Sequence, residues 1–137
     1  MEKIIIKGRK VVGGRAEGEA LVSTGGIGCF GSLDPKTGVI TERGHCIQGA
    51  CIKDKILVFP CAKGSSAWSG DFLMLRINGV APKGMLIDHV ECRSALGAVM
   101  CQAPTVTDFN IDPLEVIQTG DWVEINADEG LISVTKK

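Results

Sequence analysis

The sequence predicts an α/β domain that is rich in β-structure and contains few helices. Residues 53–61 (KDKILVFPC) form a continuous apolar run with β-branched members, which is typical of a strand covered on both faces. A helical pattern follows this run, and a second apolar run, KGMLIDHV, occupies residues 83–90. A strand–helix–strand unit of this kind should be parallel and right-handed. The length of 137 residues indicates a single domain, residues 1–137, large enough for a hydrophobic core.

The helix of this unit is predicted from the spacing of three large apolar side chains. Trp68, Phe72 and Leu75 fall at positions i, i+4 and i+7, which places them on one stripe of a helix. The Asn78-Gly79 pair is expected to end the helix. We therefore expect the stripe to face the core.

The remaining strands are expected near the two ends of the chain. Residues 3–23 alternate short β-branched runs with glycines, and they predict two or three strands linked by turns. Residues 91–104 predict a short helix that leads into another strand. Residues 120–134 (GDWVEINADEGLISV) alternate as a closing hairpin, with residues 128–130 in its turn.

A glycine-rich stretch, residues 24–45, lies between the first strands and the buried strand. Its glycines can serve as turn residues, or they can allow the backbone to approach a ligand or partner closely. We expect the loop 25–31 and the turn 34–38 (DPKTG) to lie on the same rim as Ser65, at the start of the predicted helix. This rim would face a partner protein.

Composition and charge exclude several classes of partner. The chain has 15 basic and 16 acidic residues and a net charge of −1, so it has no basic excess with which to neutralise a phosphate backbone. Nucleic acid is therefore not an expected partner. The N-terminal apolar run is three residues long, far shorter than a signal-peptide core or a membrane span. We expect a cytoplasmic protein that does not contact a membrane.

The six cysteines are expected to be thiols, because disulfides are rare in the cytosol. Only Cys46 and Cys51 lie close together, as C-x4-C, and the sequence contains no CxxC pair. A metal site formed by this chain alone is therefore not expected. The role of Cys29, in the glycine-rich loop, stays open. Three others stand in apolar segments and are expected to be small buried hydrophobic residues: Cys61, Cys92 and Cys101.

The sequence AKGSS, residues 62–66, joins the buried strand to the predicted helix. Unpaired N–H groups and the helix dipole make such a joint a possible anion site. Its serines could also be a nucleophile, a proton-transfer residue or a plain helix cap. Spacing alone favours a cap by Ser65 or Ser66, which would stabilise the helix by about 1 kcal/mol.

Two familiar catalytic motifs do not fit this joint. A Walker loop needs lysine after its second glycine, whereas Lys63 precedes Gly64 here. The GxSxG spacing of a hydrolase elbow is also missing. The chain contains two histidines, His45 and His89, and neither is followed by an obvious triad. A self-contained serine hydrolase is therefore not expected.

An ordered series of motifs carries a family resemblance. Together they cover roughly residues 18–134, and the chain resembles the small subunit of the aconitase X family. The resemblance implies a compact, swivelling β/β/α domain like the C-terminal domain of aconitase, detached as a separate protein. The motifs are GEALVS (18–23), GSLDPKTGVI (31–40), GH (44–45), DKILVFPCAKGSS (54–66), NGVAP (78–82), LGAVM (96–100) and GDWVEINADEG (120–130).

The resemblance also implies roles for the serine joint. In the aconitase superfamily the first serine of the G-S-S turn takes a proton from the substrate carbon, which makes Ser65 the catalytic residue here. Gly64, Ser66 and Lys63 are then expected to bind substrate, with Lys63 as an electrostatic helper. A serine hydroxyl is a weak base, so its alkoxide would need the helix N-terminus, nearby N–H donors and a cation from the other subunit.

The chain departs from the family pattern at two positions. The aconitase turn continues with Arg-Glu, whereas Ala67 and Trp68 stand here, so carboxylate recognition must come from another position. The family commonly has proline after the GH histidine, where this chain has Cys46.

By resemblance, the function is that of the small subunit of a two-subunit dehydratase, a hydro-lyase that is active only with its large subunit. The large subunit would hold iron or an iron–sulfur cluster, and this chain would bind none alone. The substrate would be a small hydroxy acid: cis-3-hydroxy-L-proline or, as the alternative, mevalonate 5-phosphate. The helix continues as residues 68–70 (WSG) rather than Gly-Ser-Tyr, which favours hydroxyproline. A non-catalytic binding or regulatory module, with a purely capping GSS turn, is the competing class.

Overall fold

The computed structural model describes residues 2–137, and this part of the chain contains eight strands and three helices. The architecture confirms the predicted α/β fold in which sheet predominates. The elements in chain order are β1 (Lys3–Lys7), β2 (Arg9–Val12), β3 (Arg15–Val22), β4 (Ile56–Phe59), α1 (Trp68–Ile77), β5 (Gly84–Ile87), α2 (Cys92–Cys101), β6 (Thr105–Thr107), α3 (Pro113–Val116), β7 (Trp122–Asn126) and β8 (Leu131–Thr135).

The eight strands form one sheet in the order β1-β8-β7-β3-β4-β5-β6-β2. Strands β3, β4, β5 and β6 run parallel to their neighbours in this series, as the strand–helix–strand pattern predicts, and the other pairs are antiparallel. The two end strands, β1 and β2, are separated in the chain by Gly8 alone. The N–H of Gly8 donates to the carbonyl of Gly130 at 2.8 Å. The chain therefore passes from one end of the sheet to the other at a single residue.

Two hydrophobic clusters pack against the sheet, one on each face. Ile56 and Val58 of β4 belong to a cluster built from every strand except β2, which fills the space that the curved sheet encloses. Leu57 and Phe59, which alternate with them, belong to the cluster under α1 and α2. This period-two alternation between two apolar environments explains the continuous apolar run in the sequence.

Helix α1 has the predicted apolar stripe. Trp68, Phe72 and Leu75 are all fully buried, and the Trp68 and Phe72 rings stack with their centroids 3.9 Å apart. The closing hairpin β7–β8 and the three N-terminal strands are also as predicted. The short helix α3 was not predicted. None of the helices within residues 2–137 has the length and apolar character needed to cross a membrane.

The predicted position of the turn 34–38 is wrong. The Asn78 side chain, which follows the last residue of α1, donates to the Pro35 carbonyl at 2.8 Å. This turn therefore packs at the C-terminal end of α1, whereas Ser65 precedes its N-terminal end. Within the turn, the Asp34 carboxylate accepts from the Lys36 N–H at 2.9 Å, which stabilises the turn conformation.

The cysteine predictions hold in part. Cys101 is buried, as expected, and burial raises the pKa of its thiol to about 11. Cys61 is half-buried. Cys92 is exposed, so the prediction was wrong for this residue. It occupies the first position of α2 and is followed by Arg93 and Ser94.

Candidate functional site

The candidate site lies at the carboxyl ends of β4 and β5. Because these strands are parallel and each is followed by a helix, α1 and α2 begin at the same edge of the sheet. Ligands of open α/β sheets bind at this kind of edge. The segments 60–67 and 88–91 connect the strands to the two helices and form the centre of the site.

The two serines precede α1 rather than cap it directly. Helix α1 begins at Trp68, and Ala67 occupies the N-cap position without a side-chain capping bond. The Ser65 hydroxyl accepts from the Ala67 N–H at 3.2 Å, and the Ser65 carbonyl accepts from the Trp68 N–H at 3.2 Å. Ser65 therefore closes a turn that leads into the helix. Both serines are exposed, and Ser66 makes no side-chain hydrogen bond within residues 2–137.

Gly64 gives this turn its shape. Its φ of +97° lies in the left-handed region that favours glycine. A Cβ at this position would also lie 3.0 Å from the sulfur of Cys29. Cys29 is 8% exposed, and its sulfur is 3.8 Å from the Ser65 hydroxyl oxygen. The open question about Cys29 is therefore answered: it is the residue against which the Gly64–Ser65 turn packs.

The glycine-rich loop 25–31 runs beside the serine turn, as predicted. The Ile27 N–H donates to the Cys61 carbonyl at 3.0 Å. The Ile27 carbonyl accepts from the Lys63 N–H at 2.9 Å and from the Trp68 indole N–H at 2.8 Å. The loop is thus bound to the strand end, to the turn and to the first residue of α1.

Lys63 is paired with a carboxylate that the sequence did not reveal. Its ammonium group lies 2.7 Å from the Glu42 carboxylate, and its side chain is 47% exposed. The hydrogen bond from Lys63 lowers the pKa of Glu42, so the carboxyl is ionised at neutral pH. Glu42 therefore offsets much of the Lys63 charge. Glu42 belongs to the long β3–β4 connection, 23–55, where no periodic pattern points to its position.

Arg93, at the start of α2, is a second residue that the sequence reasoning missed. Its guanidinium donates to the Gly64 carbonyl and, through Nε, to the Glu91 carboxylate at 3.0 Å. Glu91 also caps α2 by accepting from the Arg93 and Ser94 N–H groups, each at 3.3 Å. The position of Arg93 could have been inferred from the sequence. Helices that follow neighbouring parallel strands begin at the same edge of the sheet, and α1 and α2 follow β4 and β5 in this way.

His45 contacts the glycine-rich loop 25–31, and Cys46 follows it in the chain. The His45 ring Nε2 is 2.8 Å from the Gly26 carbonyl, and its Nδ1 is 3.7 Å from the Cys46 sulfur. Burial raises the pKa of the Cys46 thiol, but hydrogen bonds from Ser23, Thr24 and the adjoining backbone outweigh it and lower the pKa to about 7.

The side chains within residues 2–137 do not fit an iron centre. Across residues 2–137, no three His, Cys, Asp or Glu side chains come together in a group that could hold a metal ion. In the described part of the chain, His45 and Cys46 are a pair without a third ligand.

The chemistry of this edge suits an anionic ligand and a proton transfer. Two helix N-termini, Arg93 and Lys63 lie at the edge, and each favours negative charge. Glu42 and Glu91 offset part of that charge. The exposed hydroxyl of Ser65 sits between the strand end and α1, where its oxygen can meet a ligand.

A pocket of about 470 Å³ lies elsewhere and includes none of these residues. Its lining comes from β1, β3, β7 and β8, together with Lys83, which directly precedes β5. It therefore lies toward the amino ends of the parallel strands, away from Ser65.

Solved structures of similar proteins share this fold. The crystal structure of Thermococcus kodakaraensis aconitase X, in its holo-form, superposes with a TM-score of 0.91 at 37% identity and covers 97% of this chain and 99% of that chain. A solution NMR structure of a UPF0107 protein superposes with a TM-score of 0.87 at 40% identity and covers 97% of this chain and 100% of that chain.

Curated relatives match along nearly the whole chain. A protein from Methanosarcina acetivorans, named phosphomevalonate dehydratase small subunit, is 40% identical over 136 residues, which are 99% of this chain and 94% of the relative. A Thermococcus gammatolerans protein of the same name is 42% identical over 129 residues, or 94% of this chain and 96% of the relative. The family described as the aconitase X swivel domain matches residues 5–134. The chain therefore belongs to the aconitase X swivel domain family.

Proposed function

We propose that this chain is the small subunit of a two-subunit hydro-lyase that dehydrates mevalonate 5-phosphate. The observation that carries the proposal is the end-to-end similarity to phosphomevalonate dehydratase small subunits, which reaches 42% identity. The exposed Ser65 hydroxyl at the entry of α1, on an edge where Lys63 and Arg93 are each paired with a carboxylate, is compatible with this chemistry.

The sequence-based preference for cis-3-hydroxy-L-proline finds no support in these relatives. That preference depended on residues 68–70, which read WSG rather than Gly-Ser-Tyr. In the structure Trp68 begins α1 as a fully buried residue that stacks on Phe72, so its identity reflects packing. A packing position says little about substrate choice, and mevalonate 5-phosphate becomes the favoured substrate.

In this proposal Ser65 removes the proton from the substrate carbon next to the one that bears the hydroxyl. The C–H electron pair forms the new double bond as the hydroxyl departs, and the ionised oxygen of Ser65 takes the proton and becomes a neutral hydroxyl. The Ala67 N–H, 3.2 Å from that oxygen, stabilises its ionised form, as does the N-terminus of α1. General-base catalysis of this kind contributes about 100- to 10,000-fold.

Binding of the substrate, which carries a carboxylate and a phosphate, is assigned to the cations of the same edge. Lys63 is paired with Glu42, so a substrate phosphate or carboxylate would compete with Glu42 for the ammonium group. The backbone at Gly64 and Ser66 would line the approach to Ser65. Groups that activate the departing hydroxyl belong to the large subunit, where iron or an iron–sulfur cluster remains a prediction.

One observation favours the competing class. The Ser65 hydroxyl already accepts the Ala67 N–H, so it has a structural role in closing the turn ahead of α1. A binding or regulatory module with a capping turn is therefore the second candidate.

Assay of the assembled pair tests the proposal. The chain is co-expressed with its large subunit, and both mevalonate 5-phosphate and cis-3-hydroxy-L-proline are followed by NMR for loss of water. We expect turnover of mevalonate 5-phosphate only, with each subunit inactive alone. Turnover of hydroxyproline alone would reverse the substrate assignment, and an assembled pair that dehydrates neither would leave the binding module as the better description.

A further inference from the structure

We infer that Arg93 is a positioning residue that holds the Gly64–Ser65 peptide in its reactive orientation. The inference deepens the proposed function, because it concerns the same serine. The starting observation is that the Gly64 carbonyl, one bond from the Ser65 nitrogen, accepts the Arg93 guanidinium of another helix.

The Gly64–Ser65 turn needs such support. Gly64 has a φ of +97°, and glycine is the residue with the largest freedom to leave this conformation. Cys29 packs against Gly64, and the Ala67 N–H donates to the Ser65 hydroxyl. Backbone conformations of this kind persist where several contacts determine them together. On the carbonyl side of Gly64, within residues 2–137, the contact is Arg93.

Arg93 is itself held in a fixed geometry. Its Nε donates to the Glu91 carboxylate at 3.0 Å while another nitrogen reaches Gly64. Burial raises the pKa of Glu91, but hydrogen bonds from Arg93 and Ser94 outweigh it and keep the carboxyl ionised. Glu91 is in turn fixed by its capping bonds to α2. With a side chain 32% exposed, Arg93 is shielded enough to keep this orientation.

The consequence for Ser65 is geometric and electrostatic. A planar guanidinium that is anchored at two points orients the carbonyl, and therefore the peptide that carries Ser65. Its positive charge also polarises this peptide and favours negative charge on the neighbouring serine oxygen. Arg93 thus supplies a cation at this turn that acts on the backbone.

Kinetics of the assembled pair test this role with mevalonate 5-phosphate as substrate. For Arg93→Ala we expect kcat to fall by about 10- to 100-fold, which corresponds to a rise of about 1.4 to 2.7 kcal/mol in the activation barrier, while KM stays within about threefold. Added guanidinium should restore part of the lost kcat. Arg76→Ala, which removes an exposed cation from the last turn of α1, is the matched control and should change neither constant.

A second measurement does not depend on the reaction. Backbone ¹⁵N relaxation of the small subunit reports the order parameters of Ser65 and Ala67, and a relative of this size has already been solved by NMR. In Arg93→Ala they should fall from about 0.85 toward about 0.6, whereas Arg76→Ala should leave them unchanged. This result would stand even if the wild-type pair proved inactive on mevalonate 5-phosphate, so failure of the proposed function is separable.

Specific outcomes would overturn the inference. These are an Arg93→Ala pair with wild-type kcat, a change confined to KM, or unchanged order parameters. A KM effect alone would make Arg93 a substrate-binding residue. If Arg93→Ala does not fold, Arg93→Met replaces it, because it keeps an unbranched apolar stem and removes every donor to the Gly64 carbonyl. Wild-type kcat and order parameters in that variant would exclude the role.

Discussion

The indole ring of Trp68 occupies the space in which a side chain on Gly97 would have to lie. A Cβ on Gly97 would be 2.1 Å from Cζ3 and 2.4 Å from Cε3 of the indole. Trp68 also stacks on Phe72 and donates its indole N–H to the Ile27 carbonyl at 2.8 Å. One buried side chain therefore connects α1, α2 and the glycine-rich loop beside Ser65.

Substitution of Gly97 by alanine should destabilise the domain. The added methyl group must displace a rigid, buried ring, and overpacking of this kind costs about 2 kcal/mol. Urea denaturation followed by fluorescence measures the free energy of unfolding. Gly70→Ala is the matched control, because a Cβ on this helical glycine meets open space and should stabilise α1 slightly. Equal unfolding free energies for the two variants would contradict the packing argument.

Asp121 should make stability depend on pH. It is 1% exposed and accepts from the Lys136 ammonium at 2.5 Å and from the Gln118 and Lys137 N–H groups at 2.8 and 2.9 Å. Burial raises the pKa of Asp121, but these hydrogen bonds outweigh it and hold the pKa below its usual range. A carboxyl with a lowered folded-state pKa contributes stability above its unfolded pKa of about 3.9 and loses it as pH falls through the folded value.

The test compares Asp121→Asn with the wild type at two pH values. At pH 7 the substitution should cost about 2 kcal/mol of unfolding free energy, because it removes a buried charge that three donors share. As the pH falls below about 4 the difference between the two proteins should shrink, because the stability contributed by the ionised carboxyl is lost as the pH falls toward its lowered folded-state pKa. Asp128→Asn, in the exposed β7–β8 turn, should behave like the wild type. A pH-independent difference would show that the Asp121 charge is not the cause.

Cys46 should be alkylated readily at neutral pH. The rate of reaction with iodoacetamide should rise through a midpoint at about pH 7, where the thiolate forms. Mass spectrometry identifies the site, and Cys46→Ser should remove this phase. Ser23 has one proton to donate, and the Gly25 carbonyl at 2.6 Å competes for it. A midpoint near the ordinary thiol pKa of about 8.5 would show that Ser23 donates to the Gly25 carbonyl rather than to the Cys46 sulfur.

Much of the fold could be predicted because local patterns determine it. The run 53–61 contains β4, and the stripe that starts at Trp68 marks α1, since period-two and period-3.6 burial are visible in the sequence. The closure of the sheet through Gly8 could not be predicted, because it pairs β1 with β8 and β2 with β6 across most of the chain. Pairings this distant leave no local pattern.

The site could be predicted only in part, for the same reason. Ser65 and Lys63 belong to one short motif, so their proximity follows from the chain itself. Glu42 and Arg93 approach this motif from 21 and 29 residues away in the chain. The arginine position could have been inferred from the parallel strands, which place both helix starts at one edge. The Glu42 position depends on the irregular β3–β4 connection, whose conformation no periodicity reveals.

The purified small subunit should contain no stoichiometric iron. Within residues 2–137 the His, Cys, Asp and Glu side chains do not assemble into a three-ligand group, and an iron–sulfur cluster needs several thiolates together. Iron analysis and visible absorption of the chain purified without its large subunit provide the measurement. A cluster retained by this chain alone would overturn the proposed division between the subunits.

Ser65→Ala separates the proton acceptor from the structural turn. If Ser65 is the base, the assembled pair should lose about 100- to 10,000-fold in kcat while assembly and KM stay nearly unchanged, because the lost group acts on the transition state. The bond from the Ala67 N–H is lost as well, so the variant should also be about 1 kcal/mol less stable. Turnover kinetics and urea denaturation measure the two effects independently.

Ser66→Ala is the control, since its hydroxyl forms no hydrogen bond within residues 2–137 and its loss should change stability little. Exchange of the substrate's carbon-bound proton with deuterated solvent sharpens the distinction. A pair that lacks its base should stop exchange as well as elimination, whereas a pair with a loosened turn should slow both to a similar, smaller degree. If Ser65→Ala retains near-normal turnover but loses about 1 kcal/mol of stability, the hydroxyl serves only to close the turn ahead of α1.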